Sequence, residues 1–140
     1  MSGAVRTSIG QCAGVILLIA PPQTPADGRI SQAEFRKLLV AKTVAVVDTR
    51  SEAEFTRGHI PGAISLTDAD LAARTAEAVR AIDVLKKSKL PIVVYCACPA
   101  ELTSLRVAEA LRAEGLPDAR ALTGGWVEWF NGGNPVEPAR

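Results

Sequence analysis

Two short, continuous apolar runs constrain the fold of this chain more than any other feature of its sequence. They are Thr43 to Asp48 (TVAVVD) and Ile92 to Tyr95 (IVVY). Uninterrupted β-branched runs of this length are typical of strands that are covered on both faces. Weaker strand patterns occur at Ile64 to Leu66 and at Arg120 to Leu122, and helical patterns lie between the strands. Such alternation predicts an α/β domain with a parallel sheet and right-handed crossovers.

Capping patterns and apolar spacing predict the helices. Ser31-Gln-Ala-Glu34 and Ser51-Glu-Ala-Glu54 have the spacing of capping boxes, and they open a helix through Leu39 and a short helix that Gly58 ends. Three further helical segments follow: one continuous, Ala-rich helix from Asp70 to Leu85, an amphipathic helix containing Leu105 to Leu111, and a last helical turn from Trp126 to Phe130.

Length and composition limit the class of protein. A chain of 140 residues fits one domain that can bury its own core. The 48% of apolar residues exclude wholesale disorder, and three cysteines are too few for a disulfide scaffold. A net charge of +1 provides no broad positive surface, so we predict no nucleic-acid partner.

Residues 1–26 have the layout of a secretory signal peptide with a Pro-rich end. A polar stretch with Arg6 precedes the apolar run Cys12 to Ala20, and a small-residue cleavage pattern ends at Ala26. The run is shorter than the roughly 20 residues of a membrane span, so we predict no stable span in the mature form. Cleavage would leave a domain at 27–134 and a C-terminal tail at 135–140, in the periplasm or outside the cell. The alternative is a buried first strand and a Pro-rich linker in a cytoplasmic protein.

Polar and reactive side chains follow three of the predicted strands. Asp48 and Arg50 follow one strand, Cys96 and Cys98 follow another, and a pair of glycines, 124–125, follows the last. Ligands bind at the carboxyl ends of the strands in an open parallel sheet. A thiol between a strand and a helix lies at the positive end of the helix dipole, which lowers its pKa and makes it nucleophilic. The two cysteines are therefore candidate nucleophiles, and packing as small hydrophobic residues is the alternative.

Three motifs resemble those of rhodanese-like domains. VDTR (Val47 to Arg50) with GHIPGA (Gly58 to Ala63) resembles the first signature, VVYC (Val93 to Cys96) the active-site segment, and GGW (Gly124 to Trp126) the closing signature. The resemblance covers about Ile30 to Phe130, in the family's order. It implies a three-layer α/β domain with a central, mostly parallel five-stranded sheet flanked by helices.

The resemblance also implies sulfurtransferase chemistry. A cysteine accepts sulfane sulfur from a small-molecule donor, becomes a persulfide, and passes the sulfur to a thiol or protein acceptor. Neither step calls for a metal or an organic cofactor, and we predict none. Loop amides would bind the persulfide anion. The substrate-binding loop would comprise Ala97, Pro99, Ala100, Glu101, Leu102, Thr103 and Ser104.

The sequence leaves two candidates for the nucleophile. Cys96 directly follows the strand, whereas Cys98 has the family's spacing of four residues before the helix start at Thr103. We predict that Cys96 is the nucleophile, with Cys98 as the alternative nucleophile or as a thiol that resolves the persulfide or closes a disulfide. The CxCPxE pattern resembles that of a rhodanese subgroup with a lengthened loop.

The charge of the loop departs from the family's pattern. The loop carries Glu101 and no basic residue between Cys96 and Arg106, so a dianionic donor meets a carboxylate unless Glu101 points away. Related phosphatases and arsenate reductases need Cys-x5-Arg to bind a dianion. Leu102 and Ser104 occupy the sixth positions after the two cysteines, which argues against phosphatase activity.

Three further side chains are predicted to support the site. Asp48 and Arg50 form an ion pair or hydrogen bonds that hold the loop, or else lie in a simple surface turn. The resemblance implies that His59 is hydrogen-bonded in a structural turn, with a Cys–His nucleophile pair as the alternative. A metal site of Cys96, Cys98 and His59 would lack a fourth ligand and the C-x2-C spacing, so we predict no metal.

Two other functions remain open at this stage. A thiol-redox module would use Cys96 and Cys98, whose disulfide closes a very small ring and is easily reduced. A non-catalytic rhodanese-like binding module is the other alternative, although a cysteine retained at the strand end argues against it.

Overall fold

The apolar run at Ile92–Tyr95 forms the central strand of a five-stranded sheet. The computed structural model describes residues 27–139. The strands are β1 (Arg29–Ile30), β2 (Ala45–Asp48), β3 (Ile64–Ser65), β4 (Ile92–Tyr95) and β5 (Ala119–Leu122). Their order in the sheet is β1-β5-β4-β2-β3, and every neighbouring pair is parallel. The prediction of a mostly parallel, five-stranded sheet is confirmed.

Helices cover both faces of this sheet. They are α1 (Gln32–Ala41), α2 (Glu52–Arg57), α3 (Asp68–Ala73), α4 (Ala76–Ser88), α5 (Leu102–Ala113) and α6 (Gly125–Asn131), with a 3₁₀ turn at Pro99–Glu101.

The side chains of β4 alternate between two cores. Val94 packs with residues of α3, α4 and α5 on one face, and Val93 and Tyr95 pack with Phe35 of α1 and Trp129 of α6 on the other. All four residues of the strand are buried, because helices cover the sheet on both sides. The predicted three-layer arrangement is therefore confirmed.

The single Ala-rich helix predicted from Asp70 to Leu85 is wrong. The chain forms α3 and α4 instead, and the break lies at Arg74, whose φ of 50° ends α3 in the left-handed region. Thr75 then caps α4, since its hydroxyl accepts a hydrogen bond from the amide of Ala78. Thr75 carried this capping signal within the run, but the continuous alanine pattern around it concealed the break.

The two flanks of the described region pack against the sheet and its helices. β1, which the sequence patterns did not predict, pairs with β5 through Arg29 and Ile30. In the predicted tail, the carbonyl of Pro135 accepts a hydrogen bond from the indole of Trp129 at 2.8 Å. The predicted signal peptide, residues 1–26, lies outside the described residues. Within residues 27–139, no helix is long and apolar enough to cross a membrane.

Candidate functional site

The carboxyl ends of β4 and β5 meet at Cys96. The carbonyl oxygen of Cys96 accepts a hydrogen bond from the amide of Trp126, at the start of α6, with a distance of 2.9 Å. A Cβ atom at Gly125 would lie 2.4 Å from this oxygen, and Gly125 has a φ of +51°. Glycine is therefore required at this position, both for the close approach and for the left-handed backbone. The GGW motif therefore fixes the backbone of Cys96 by contacting its carbonyl group.

The two cysteines of the loop are directly paired. Cys96 and Cys98 form a disulfide, with their Cα atoms 5.6 Å apart. Cys96 is 4% exposed, and Cys98 is half-buried. The Sγ atom of Cys96 lies 3.5 Å from the hydroxyl oxygen of Ser104, and the amide of Thr103 donates to the Sγ atom of Cys98 at 3.4 Å. Both sulfur atoms thus lie at the first turn of α5.

The loop between the cysteines and α5 has an uncommon backbone conformation. Ala100 and Glu101 have φ values of 54° and 55°, in the left-handed region that L-residues rarely adopt. This conformation ends the 3₁₀ turn and starts α5 at Leu102, close to the helix start predicted near Thr103. Two consecutive left-handed residues cost about 1–2 kcal/mol each, so other contacts must hold them.

The side chain of Glu101 supplies those contacts. Its carboxylate accepts a hydrogen bond from the amide of Gly124 at 2.7 Å and pairs with the guanidinium of Arg29 at 3.1 Å. Arg29 also donates to the carbonyl of Ala100 at 3.4 Å. The Glu101 side chain is only 13% exposed, so its charge is directed at Arg29 rather than at solvent. Glu101 therefore braces the loop against β1 and the end of β5.

The predicted pair Asp48 and Arg50 is a buried ion pair at the end of β2. Nη2 of Arg50 donates to Oδ2 of Asp48 and to the carbonyl of Gly58, each at 2.7 Å. The guanidinium carbon lies 3.8 Å from the ring centroid of Trp126. Burial alone would lower the pKa of Arg50, but the hydrogen bond and charge of Asp48 raise it above its ordinary value. Arg50 thus stays charged at the end of β2, against the ring of Trp126.

Tyr95 connects this ion pair to the GHIPGA turn. Its hydroxyl donates to Oδ2 of Asp48 at 2.6 Å and accepts from the amide of Ile60 at 3.0 Å. Burial, followed by the charge and the hydrogen bond of Asp48, raises the pKa of Tyr95 far above its ordinary range. The phenol is therefore neutral at physiological pH. Because Cys96 is the next residue, the network also fixes the backbone before the thiol.

The structure brings some of the predicted site residues together and separates others. Cys96, Cys98, Thr103 and Ser104 form one cluster. Ala97, Pro99, Ala100 and Leu102 lie on the exposed side of the loop. His59 lies in the turn after α2, where its Nδ1 donates to the backbone carbonyl of Phe55 at 2.9 Å and its ring stacks on the Phe55 ring. The imidazole also faces the carboxylate of Glu137, whose backbone pairs with that of His59.

Sequence reasoning missed the contribution of Arg29 to the site. Arg29 contacts Glu101 across 72 positions of the chain, and nothing in its local sequence marks it. Tyr95 was included only as the end of a strand. Its position next to a cysteine and opposite Asp48, in neighbouring parallel strands, was the signal that could have identified it.

Comparisons with known proteins are consistent with this geometry. A family model described as "Rhodanese-like domain" matches residues 31–131. The chain is 34% identical over 117 residues to the HTH-type transcriptional regulator Rv0324 of Mycobacterium tuberculosis, and the match covers 81% of this chain but only 46% of the regulator. The chain therefore spans less than half the length of that relative.

Two other matches are to shorter proteins. The thiosulfate sulfurtransferase GlpE of Shewanella oneidensis is 33% identical over 89 residues, which cover 64% of this chain and 78% of that protein. The human single-domain sulfurtransferase TSTD1 superposes with a TM-score of 0.59 and 25% identity, covering 74% of this chain and 96% of that chain.

Proposed function

Since this chain belongs to the rhodanese-like domain family, we propose that it is a sulfurtransferase in which Cys96 carries sulfane sulfur as a persulfide. The observation that carries the proposal is the position of Cys96, directly after the central strand and at the first turn of α5. Amides at a helix N-terminus stabilise an anionic sulfur. The family membership, shared with proteins named thiosulfate sulfurtransferases, supports the reaction class.

The reaction proceeds in two displacements from the reduced protein. The Cys96 thiolate attacks the sulfane sulfur of the donor, the donor's bond to that sulfur breaks, and the remainder of the donor leaves with the electron pair. An acceptor thiolate then attacks the outer sulfur of the persulfide, and Cys96 leaves as a thiolate. The Cys96–Cys98 disulfide has to be reduced before the first step, because a disulfide sulfur carries no free thiolate.

The charge of Glu101 bears on the choice of donor. An unpaired carboxylate in the loop would repel an anionic donor, but the carboxylate of Glu101 is paired with Arg29 and mostly buried. Thiosulfate is accordingly the first donor to test, and the name of the GlpE relative supports the same choice.

Intact-mass analysis of the reduced protein after incubation with thiosulfate tests the proposal. We expect Cys98→Ser to gain the mass of one sulfur atom and Cys96→Ser to gain none. If only the Cys96→Ser variant forms a persulfide, Cys98 is the nucleophile. If neither variant takes up sulfur, sulfur transfer from this donor is refuted.

A thiol-redox module is the second candidate function, and the pairing of Cys96 with Cys98 favours it. This candidate predicts a reversible disulfide with a measurable reduction potential and no sulfur uptake.

A non-catalytic binding role is supported by the similarity to the Mycobacterium tuberculosis regulator. It predicts that Cys96→Ser retains the protein's function in the cell.

We also propose that residues 1–26 direct export, so that the domain functions in the periplasm or outside the cell. The layout of Arg6, the apolar run and the small-residue pattern at Ala26 supports this proposal. The intact mass of the native protein tests it. A chain that begins at Asp27 is expected, and a chain that retains residues 1–26 would instead support a cytoplasmic protein.

A further inference from the structure

The loop holds two sulfur atoms where the proposed sulfur transfer needs only one. The chain has three cysteines, and Cys12 lies in the predicted signal segment, which leaves Cys96 and Cys98 in the domain. Their Cα atoms are 5.6 Å apart, and their sulfur atoms are paired in the structure. A thiol so close to a persulfide is positioned to react with it.

We propose that Cys98 resolves the Cys96 persulfide and releases its outer sulfur as hydrosulfide, which gives the protein a dithiol-dependent sulfane-sulfur reductase activity. The inference rests on the proposed sulfurtransferase function. It adds a product, hydrosulfide, and a partner class, a dithiol reductant.

The chemical step balances within the loop. The Cys98 thiolate attacks the inner sulfur of the persulfide, the Sγ atom of Cys96. A bond forms between the two Sγ atoms, the bond from Cys96 to the outer sulfur breaks, and that sulfur leaves as hydrosulfide with the electron pair. The sulfane sulfur is reduced, and the two cysteines are oxidised to the disulfide that the structure contains.

A dithiol reductant closes the cycle. Its two thiols reduce the Cys96–Cys98 disulfide by exchange and are themselves oxidised to a disulfide. With thiosulfate as donor, the sum is thiosulfate plus a dithiol giving sulfite, hydrosulfide, one proton and the disulfide of the reductant. Sulfur, hydrogen and charge are conserved on the two sides.

The surroundings of the two sulfurs suit these different roles. Cys98 is half-buried, and its Sγ atom accepts the amide of Thr103 at 3.4 Å, within the first turn of the 12-residue helix α5. This contact directs a backbone N–H group at the sulfur that serves as the resolving thiol. The Sγ atom of Cys98 lies directly beside that of Cys96, so the resolving thiol reaches the inner sulfur without leaving the loop. An external acceptor thiol attacks the outer sulfur and receives it, whereas Cys98 attacks the inner sulfur and releases hydrosulfide. The nucleophile that attacks thus determines the product.

A single-turnover experiment without reductant tests this inference. The full chain is reduced, freed of reductant and incubated with thiosulfate under anaerobic conditions. Hydrosulfide is quantified, and the intact mass is measured. We expect the unmodified protein to release one hydrosulfide per molecule, lose the mass of two hydrogen atoms and retain no persulfide. Cys98→Ser should gain one sulfur atom and release at least about tenfold less hydrosulfide, because no neighbouring thiol attacks the persulfide.

Matched variants separate the possible failures. Cys98→Ala, which removes the hydroxyl as well, should behave like Cys98→Ser, and circular dichroism verifies that both variants fold. If the unmodified protein keeps its persulfide and releases no hydrosulfide while Cys98→Ser also takes up sulfur, the inference is overturned and the sulfurtransferase proposal stands. If neither takes up sulfur, the sulfurtransferase proposal fails as well, and the two results are distinguishable by mass.

Discussion

The hydroxyl of Tyr95 provides the most direct test of how the site is held together. Tyr95 is fully buried, and its hydroxyl both donates to Asp48 and accepts from the amide of Ile60. Tyr95→Phe removes this one oxygen atom and leaves the ring and its packing in place. The substitution therefore isolates the energetic contribution of the hydroxyl to the junction between β2, β4 and the GHIPGA turn.

Two losses determine the expected magnitude. A hydrogen bond to a charged group contributes about 1.5–3 kcal/mol, and the lower end applies because Asp48 keeps its contacts with Arg50. The amide of Ile60 becomes a buried donor without its partner, which costs a further 1–3 kcal/mol or so. We expect Tyr95→Phe to lower the free energy of unfolding by about 3 kcal/mol. Since small domains are stable by only about 5–15 kcal/mol, the effect is large.

Urea unfolding followed by circular dichroism measures this difference, with Thr49→Val as the matched control. The hydroxyl of Thr49 is also buried and donates to the carbonyl of Tyr95 at 3.0 Å, but that carbonyl also accepts the amide of Thr49. Loss of the Thr49 hydroxyl therefore leaves no buried donor or acceptor without a partner, and it should lower the free energy of unfolding by about 1 kcal/mol. If Tyr95→Phe costs no more than Thr49→Val, the hydroxyl does not hold the junction and the reasoning is refuted.

Three further predictions test the backbone, the buried phenol and the loop charge. Gly125→Ala should lower both the stability of the protein and the rate of sulfur transfer. Gly115 has a φ of +94° but open space around it, so Gly115→Ala should lower only the stability, by about 1–2 kcal/mol. Denaturation and single-turnover assays measure the two quantities, and equal effects of the two variants on the rate would contradict the close-approach argument. Because the pKa of Tyr95 is raised in the folded state, its contribution to stability is complete below pH about 10 and declines by about 1.4 kcal/mol per pH unit above it, as the unfolded chain loses the phenol proton first. Tyr95 is the one tyrosine of the chain, so ultraviolet absorbance should detect phenolate only as circular dichroism detects unfolding, and phenolate at pH 10 in the folded protein would disprove the shift. Arg29→Met should slow sulfur uptake from thiosulfate, and adding Glu101→Gln should restore it; no restoration would show that the unpaired carboxylate was not the cause.

The fold was predictable from the sequence where short-range patterns determine it. The β-branched run at Ile92–Tyr95 gave the central strand with its observed bounds, since a strand buried on both faces needs uninterrupted apolar residues. The capping box at Ser51 correctly placed the start of α2. The two-residue strand β1 was not predictable, because its pairing with β5 depends on contacts about 90 residues away in sequence rather than on a pattern of its own.

The site was predictable in composition but not in its bracing. The CxCPxE motif identified both thiols, and their spacing indicated that they could pair. The orientation of Glu101 had no such signal, because it depends on Arg29 and on the amide of Gly124, which are distant in sequence. The left-handed backbone at Ala100 was likewise not predictable. Glycine adopts this conformation routinely and asparagine or aspartate occasionally, whereas alanine rarely does.

Contacts that hold the loop and the His59 turn extend beyond the region that the family model matches. The family model matches residues 31–131, yet Arg29 lies before that region and Glu137, which pairs with His59, lies after it. A recombinant fragment trimmed to 31–131 would retain both cysteines but lose the cation that neutralises Glu101. A low activity of this fragment with anionic donors would then reflect the trimming and not the whole chain. Fragment boundaries for assays of this protein should therefore include at least residues 27–139.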